Sequence, residues 1–157
     1  DQGTSKVEFH HALIQGALMI DPLEAAIQFL LGRIELVDLE ERIASKHKYG
    51  EEWLADQTAL VVILDDSNPN LYVQMHEARL EVWCLAATDE DALDLWASLV
   101  SISRTKERVP VTTSQGIALV YSFLPESGPS YLPDKELDMV KRVLSFWKIQ
   151  VAEVAVV

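Results

Sequence analysis

The sequence predicts an α+β fold: a single domain in which a mostly antiparallel sheet is covered on one face by two helices. Three observations carry that prediction. Between Ala78 and Val100 the side-chain period changes. Ala78, Leu80, Val82 and Cys84 alternate with Arg79, Glu81, Trp83 and Leu85, and past Thr88 the apolar residues Leu93, Trp96, Leu99 and Val100 recur at helical spacing. Thr58–Leu64 is a nearly continuous apolar, β-branched run that ends in the turn composition Asp65–Asn70. The order helix, two strands, helix, then two or three strands completes one unit without an internal repeat, and 157 residues suffice to bury a core.

Residues 1–18 are read as an N-terminal extension and 19–157 as the domain, because Met19 stands just before the first strong helix start. There Asp21 can cap, Pro22 fits the first helical position and Glu24 can close a capping box. Leu23, Ile27, Leu30 and Ile34 form one apolar stripe, interrupted by Gly32 at a cost of about 1 kcal/mol relative to Ala. Residues 36–43 add at most a short turn, and 45–56 read as an exposed loop. The strands 58–64 and 72–86 form an antiparallel hairpin. Thr88 then opens the second helix, with Asp89, Glu90 and Asp91 at the positive end of its dipole. Residues 104–108 are a basic linker. Short strands follow at 109–113 and 116–124, a loop at 125–133, one helical turn at 134–138 and a final strand at 140–156.

Charge excludes more than motif does. With 13 basic against 25 acidic residues the net charge is −12, which argues against phosphate neutralisation as the main task. Cys84 is the sole cysteine, so no intramolecular disulfide forms, and its strand position predicts a buried small hydrophobe. No apolar run is long enough to predict a membrane span.

The chain carries no glycine-rich phosphate loop and no nucleophile elbow. His10, His11, His47 and His76 lack metal-ligand spacing and are expected to be solvated or to contact a partner. Asp65 and Asp66 suit a turn better than a cation site. The residues therefore predict no enzyme, no cofactor and no metal ion.

In order, the run MIDPLEAAIQFLLGRIELVDLEERIA, the strand TALVVIL, the segment ARLEVWCLAATDEDALDLWASLVSI and the tail GIALVYSFLPESGPSYLPDKELDMVKRVLSFWKIQVAEV resemble the tail terminator (tail completion) proteins of long-tailed bacteriophages. The likeness rests on Arg42-Ile43, on Ala87-Thr88-Asp89-Glu90-Asp91-Ala92 leading into a helix, and on a Gly-Pro loop before a last long strand. It spans about residues 19–156. It implies a structural protein that assembles as a homo-hexameric ring at the head–tail junction of the virion, formed in the host cytoplasm. Such a ring caps the tail tube protein, ends its polymerisation and meets the head-completion (neck) protein. Genomic DNA passes through without sequence-specific binding, and an acidic lumen would repel its phosphates.

Surfaces, not a pocket, then become the candidate site. Arg79, Glu81 and Trp83 on the half-polar strand face are candidates for subunit–subunit contact. The hairpin tip, Asp65, Asp66, Asn68 and Asn70, and the loop with His47 and Lys48 are candidates for a stacked ring. Arg104, Lys106 and Arg108 are candidates for pairing with acidic patches on a neighbour. Solvated surface competes with each assignment. Another head–tail connector ring, or a small cellular α+β binding module, are the alternatives for the whole chain.

Overall fold

The computed structural model describes residues 20–39, 42–45, 58–69, 75–105, 107–132 and 141–153. Helix α1 (Pro22–Leu31) starts as its sequence dictates: Asp21 accepts a hydrogen bond from the Leu23 N–H at 2.9 Å, with Pro22 at the first position. Glu24 does not close the expected capping box. Its carboxylate instead accepts from the Ser114 N–H (2.7 Å) and hydroxyl (2.8 Å), fastening α1 to a turn 90 residues away. The helix stops at Gly32 and a 3-10 helix, η1 (Ile34–Leu39), follows. That break corrects the apolar stripe. The helical phase is lost at Gly32, so Leu36 and Leu39 turn inward and Ile34 is left 80% exposed.

Six strands follow among the described residues: β1 (Ile43–Ala44), β2 (Ala59–Pro69), β3 (Met75–Ala86), β4 (Val109–Thr113), β5 (Gly116–Leu132) and β6 (Lys141–Glu153). They form one sheet in the order β1-β2-β3-β6-β5-β4. The fold is α+β, but the sheet is mixed: β1 pairs parallel with β2 and the other four pairings are antiparallel. Helix α2 (Asp89–Ser103) joins β3 to β4. With η1 there are three helical segments among the described residues, where two helices were expected.

Two stretches read as turn or loop are strand. Asp65–Pro69 continues β2 opposite Arg79–His76, and Pro125–Leu132 continues β5 along β6. Pairing to a long partner strand overrides local turn propensity in both. The irregular composition survives as register shifts at Leu64/Asp66, Val120/Ser122, Pro125/Ser127 and Ser127/Ser130. The turn expected at 134–138 lies outside the described residues, as does the extension 1–18.

Strand alternation divides the sheet into two faces. On β3, His76, Ala78, Leu80, Val82 and Cys84 are buried. On β6, Val143, Ser145, Trp147, Ile149 and Val151 are. The apolar residues among these share one cluster with Ala25, Ala26, Phe29 and Leu30 of α1, Leu36 and Leu39 of η1, and the inner ridge of α2. That ridge is Ala92, Leu95, Leu99 and Ile102. It sits one residue off the expected stripe, so Trp96 and Val100 flank the core and Leu93 is half-exposed. At the centre Phe123 stacks on Trp147, with ring centroids 4.6 Å apart and planes 4° apart. On the opposite face a smaller cluster holds Ala59, Val61 and Leu85, with Ile63 and Trp83 beside it.

The α2 cap is as its sequence predicts: Thr88 Oγ1 accepts from the Asp91 N–H at 3.1 Å. Replacing Thr88 with Ala orphans that donor, and a urea titration should show a loss of about 1 kcal/mol. An unchanged midpoint would mean that packing alone sets this helix end.

Candidate assembly surface

The outer face of the sheet, turned away from the helices, gathers the strand residues singled out by alternation. Arg79, Glu81 and Trp83 project there from β3, none of them fully buried. Arg79 is the hub. Its guanidinium lies 4.1 Å from the centroid of the Phe146 ring on β6. Nη1 bonds Asp65 Oδ2 of β2 at 2.9 Å, and Nε pairs with Glu126 Oε2 of β5 at 3.4 Å. One side chain thus spans four strands.

Its two carboxylate partners have a common origin. Asp65 and Glu126 are each the extra residue at a register shift, between Leu64 and Asp66 and between Pro125 and Ser127. A bulge adds one residue and re-aims its side chain. Tyr121 occupies the same position at the Val120/Ser122 shift, and Arg108 stacks over its ring at 4.5 Å. Three bulge residues therefore each meet an arginine.

A second polar row runs alongside. Lys148 Nζ meets Glu77 Oε1 at 2.8 Å, Gln150 donates to Glu77 Oε2 at 3.1 Å, and the Ser122 hydroxyl donates to Gln150 Oε1 at 3.2 Å. The hydrogen bonds from Lys148 and Gln150 hold the Glu77 carboxyl below the ordinary range, and the bond to Glu77 lifts the Lys148 ammonium above its own. Lys148 and Glu77 are each about two-fifths exposed, so water screens their pair and register, more than stability, is what it secures. Trp83 sits opposite Val61 and Leu144 with the Arg142 guanidinium 4.8 Å over its ring. Glu81 lies between Ile63 and Phe146.

The remaining candidates are not assembled with these. Asp66 accepts from the Ser67 N–H at 2.8 Å, in strand rather than at a hairpin tip. Asn68 lies in β2 opposite Glu77. Arg104 ends α2, exposed, its N–H bonding back to Ser101 and Ile102. His47, Lys48, Asn70 and Lys106 lie outside the described residues.

One polar site was misread. His76, expected to be solvated or in contact with a partner, is buried at the end of β3, where Nε2 lies 3.3 Å from Glu153 Oε1. The same oxygen accepts from the Ile20 N–H at 3.2 Å, holding the start of α1 to the sheet. The partners are 77 and 133 residues apart, so no local pattern signals the contact. Cys84 is fully buried and its thiol is pushed far up by desolvation, as an inert core residue requires. Among the described residues, no group of three or more metal-ligating side chains comes together and no helix is long and apolar enough to cross a membrane.

Solved structures match this chain by fold where sequences do not. No family model matches this sequence, and no curated protein matches it. A solved structure does: a chain in the virion of the native gene transfer agent (GTA) particle superimposes with a TM-score of 0.50 at 9% identity. The match covers 85% of this chain and 100% of the other. At that identity the likeness establishes a shared fold.

Proposed function

We propose that this chain is a structural protein of a phage-like virion, without enzymatic activity, and that it forms a hexameric ring at the head–tail junction. The fold shared with a GTA virion chain is the observation that carries the first part. The sequence resemblance to tail terminators supplies the rest: the ring caps the tail tube, stops its growth, and offers its other surface to the head-completion protein while DNA passes through. An acidic chain whose outer sheet face ties its own cations to in-chain carboxylates and rings suits that passage, because phosphate finds little to hold it.

Tail-tube polymerisation tests the role. Tube protein assembled with this chain present should yield tubes of arrested length with the chain bound at one end. Continued growth, or co-purification with portal protein in place of tube protein, would move it to another connector position.

A further inference from the structure

The large apolar side chains that stay exposed among the described residues fall into two sets. Leu31 (39%), Ile34 (80%) and Val37 (65%) occupy the end of α1 and η1, and Ile117 (45%), Leu124 (47%) and Tyr131 (51%) all belong to β5. In a 3-10 helix residues three apart eclipse, so Ile34 and Val37 form one ridge.

The two sets lie at opposite edges of the sheet. η1 is tied to the β1 edge by Arg42, whose Nη2 donates to the Asp38 carbonyl (3.1 Å) and whose Nε donates to the Thr58 carbonyl (2.9 Å). β5 is at the other edge wherever β4 leaves it, since β4 pairs only with Gly116–Val120 and no described strand borders Tyr121–Leu132 on that side. They also share a height. One row of the sheet runs Ile43, Leu60, Cys84, Val143, Tyr131, so the β1 corner and the Tyr131 end of β5 are level.

We propose that copies of this chain join head to tail, with the Leu31–Ile34–Val37 corner of one copy seated on the Tyr131 end of the β5 edge of the next. The assignment rests on the ring reading and specifies its interface. Two different patches at opposite edges make a heterologous contact, which is the kind that closes into a ring. Glu35 and Asp38 are exposed beside the η1 ridge, and exposed Lys141 stands at the Tyr131 end of the β5 edge, while Glu126 within that edge is already paired with Arg79. Side chains must make this contact. Pro125 and Pro129 lack an N–H and three register shifts interrupt the strand, so the edge is a poor template for an added strand.

Disulfide trapping reads the contact directly. Val37→Cys and Tyr131→Cys variants are purified separately, with the buried Cys84 retained, then oxidised alone and as a mixture. The mixture should give covalent dimers, each variant alone none, and the double variant a ladder of multimers. Val37–Val37 dimers would instead mean a two-fold contact and overturn the proposal. Ile34→Asp with Val37→Asp, both at exposed positions, should leave the circular dichroism unchanged. It should weaken self-association on the order of 100-fold through the lost burial of two aliphatic groups. Should wild type oligomerise and this variant match its mass by light scattering, the interface is wrong and the ring reading stands. Should wild type stay monomeric and the double cysteine variant give no multimer, both fail.

Discussion

Replacing Trp147 with Ala is expected to cost about 3–5 kcal/mol, the largest effect of any single side chain here. Trp147 is fully buried at the centre of β6, stacked on Phe123, and its indole N–H donates to Ser145 Oγ at 2.8 Å. Ser145, buried in turn, donates to the Val82 carbonyl at 3.5 Å. Truncation opens a cavity between the helices and the sheet and removes the donor that Ser145 accepts from, whereas Trp147→Phe keeps the ring stack and loses only the hydrogen bond. Against a typical domain stability of about 5–15 kcal/mol, the Ala variant should lie near its folding limit. Equilibrium urea unfolding followed by tryptophan fluorescence measures this. A loss of under about 1 kcal/mol would mean that the core does not centre on this residue.

The second large effect concerns backbone. Gly128 sits in β5 at φ +102°, and a Cβ there would lie 2.9 Å from both the Leu144 carbonyl oxygen and Ser145 Cα. Neither obstacle is a side chain that can swing away. Gly128→Ala should therefore cost at least about 1–3 kcal/mol and disturb the β5–β6 register. Gly32→Ala is the control. Its φ is −87° and the nearest atom to an added Cβ is the Phe29 carbonyl oxygen at an ordinary 3.6 Å, so it should be neutral or slightly stabilising. Equal effects of the two substitutions on the thermal midpoint would refute the contrast.

What was legible in the sequence is what local chemistry decides. The alternation at 78–86 and the Thr88 cap are written in neighbouring residues, and both stand in the structure. The 125–132 stretch was not legible, because two prolines and a glycine mark a loop unless a partner strand is known. Its pairing with β6 overrides that composition. Ile34 misled for a related reason: a periodic stripe assumes an unbroken helix, and Gly32 breaks it. Among the candidate contacts, alternation placed Arg79, Glu81 and Trp83 together on one face. It gave no sign that Arg79 would be held by Asp65 and Glu126, because bulges in β2 and β5 supply those carboxylates. The apolar ridge at Ile34 and Val37 was hidden by the same broken helix.

The in-chain network around Arg79 also shifts weight between surfaces. A guanidinium already engaged by two carboxylates and an aromatic ring gains little from a further partner, and an exposed apolar ridge gains much from being covered. Where copies meet, the η1 corner should dominate the energy and the Arg79 face should be secondary.

Ring formation itself is the claim on which the rest depends, and native mass spectrometry tests it most directly, on the chain alone and after release from tail-tube ends. The account predicts a species six times the 17.6 kDa chain, seen as an annulus by negative-stain imaging. A chain that remains a monomer both in isolation and in the presence of tail tubes would contradict it.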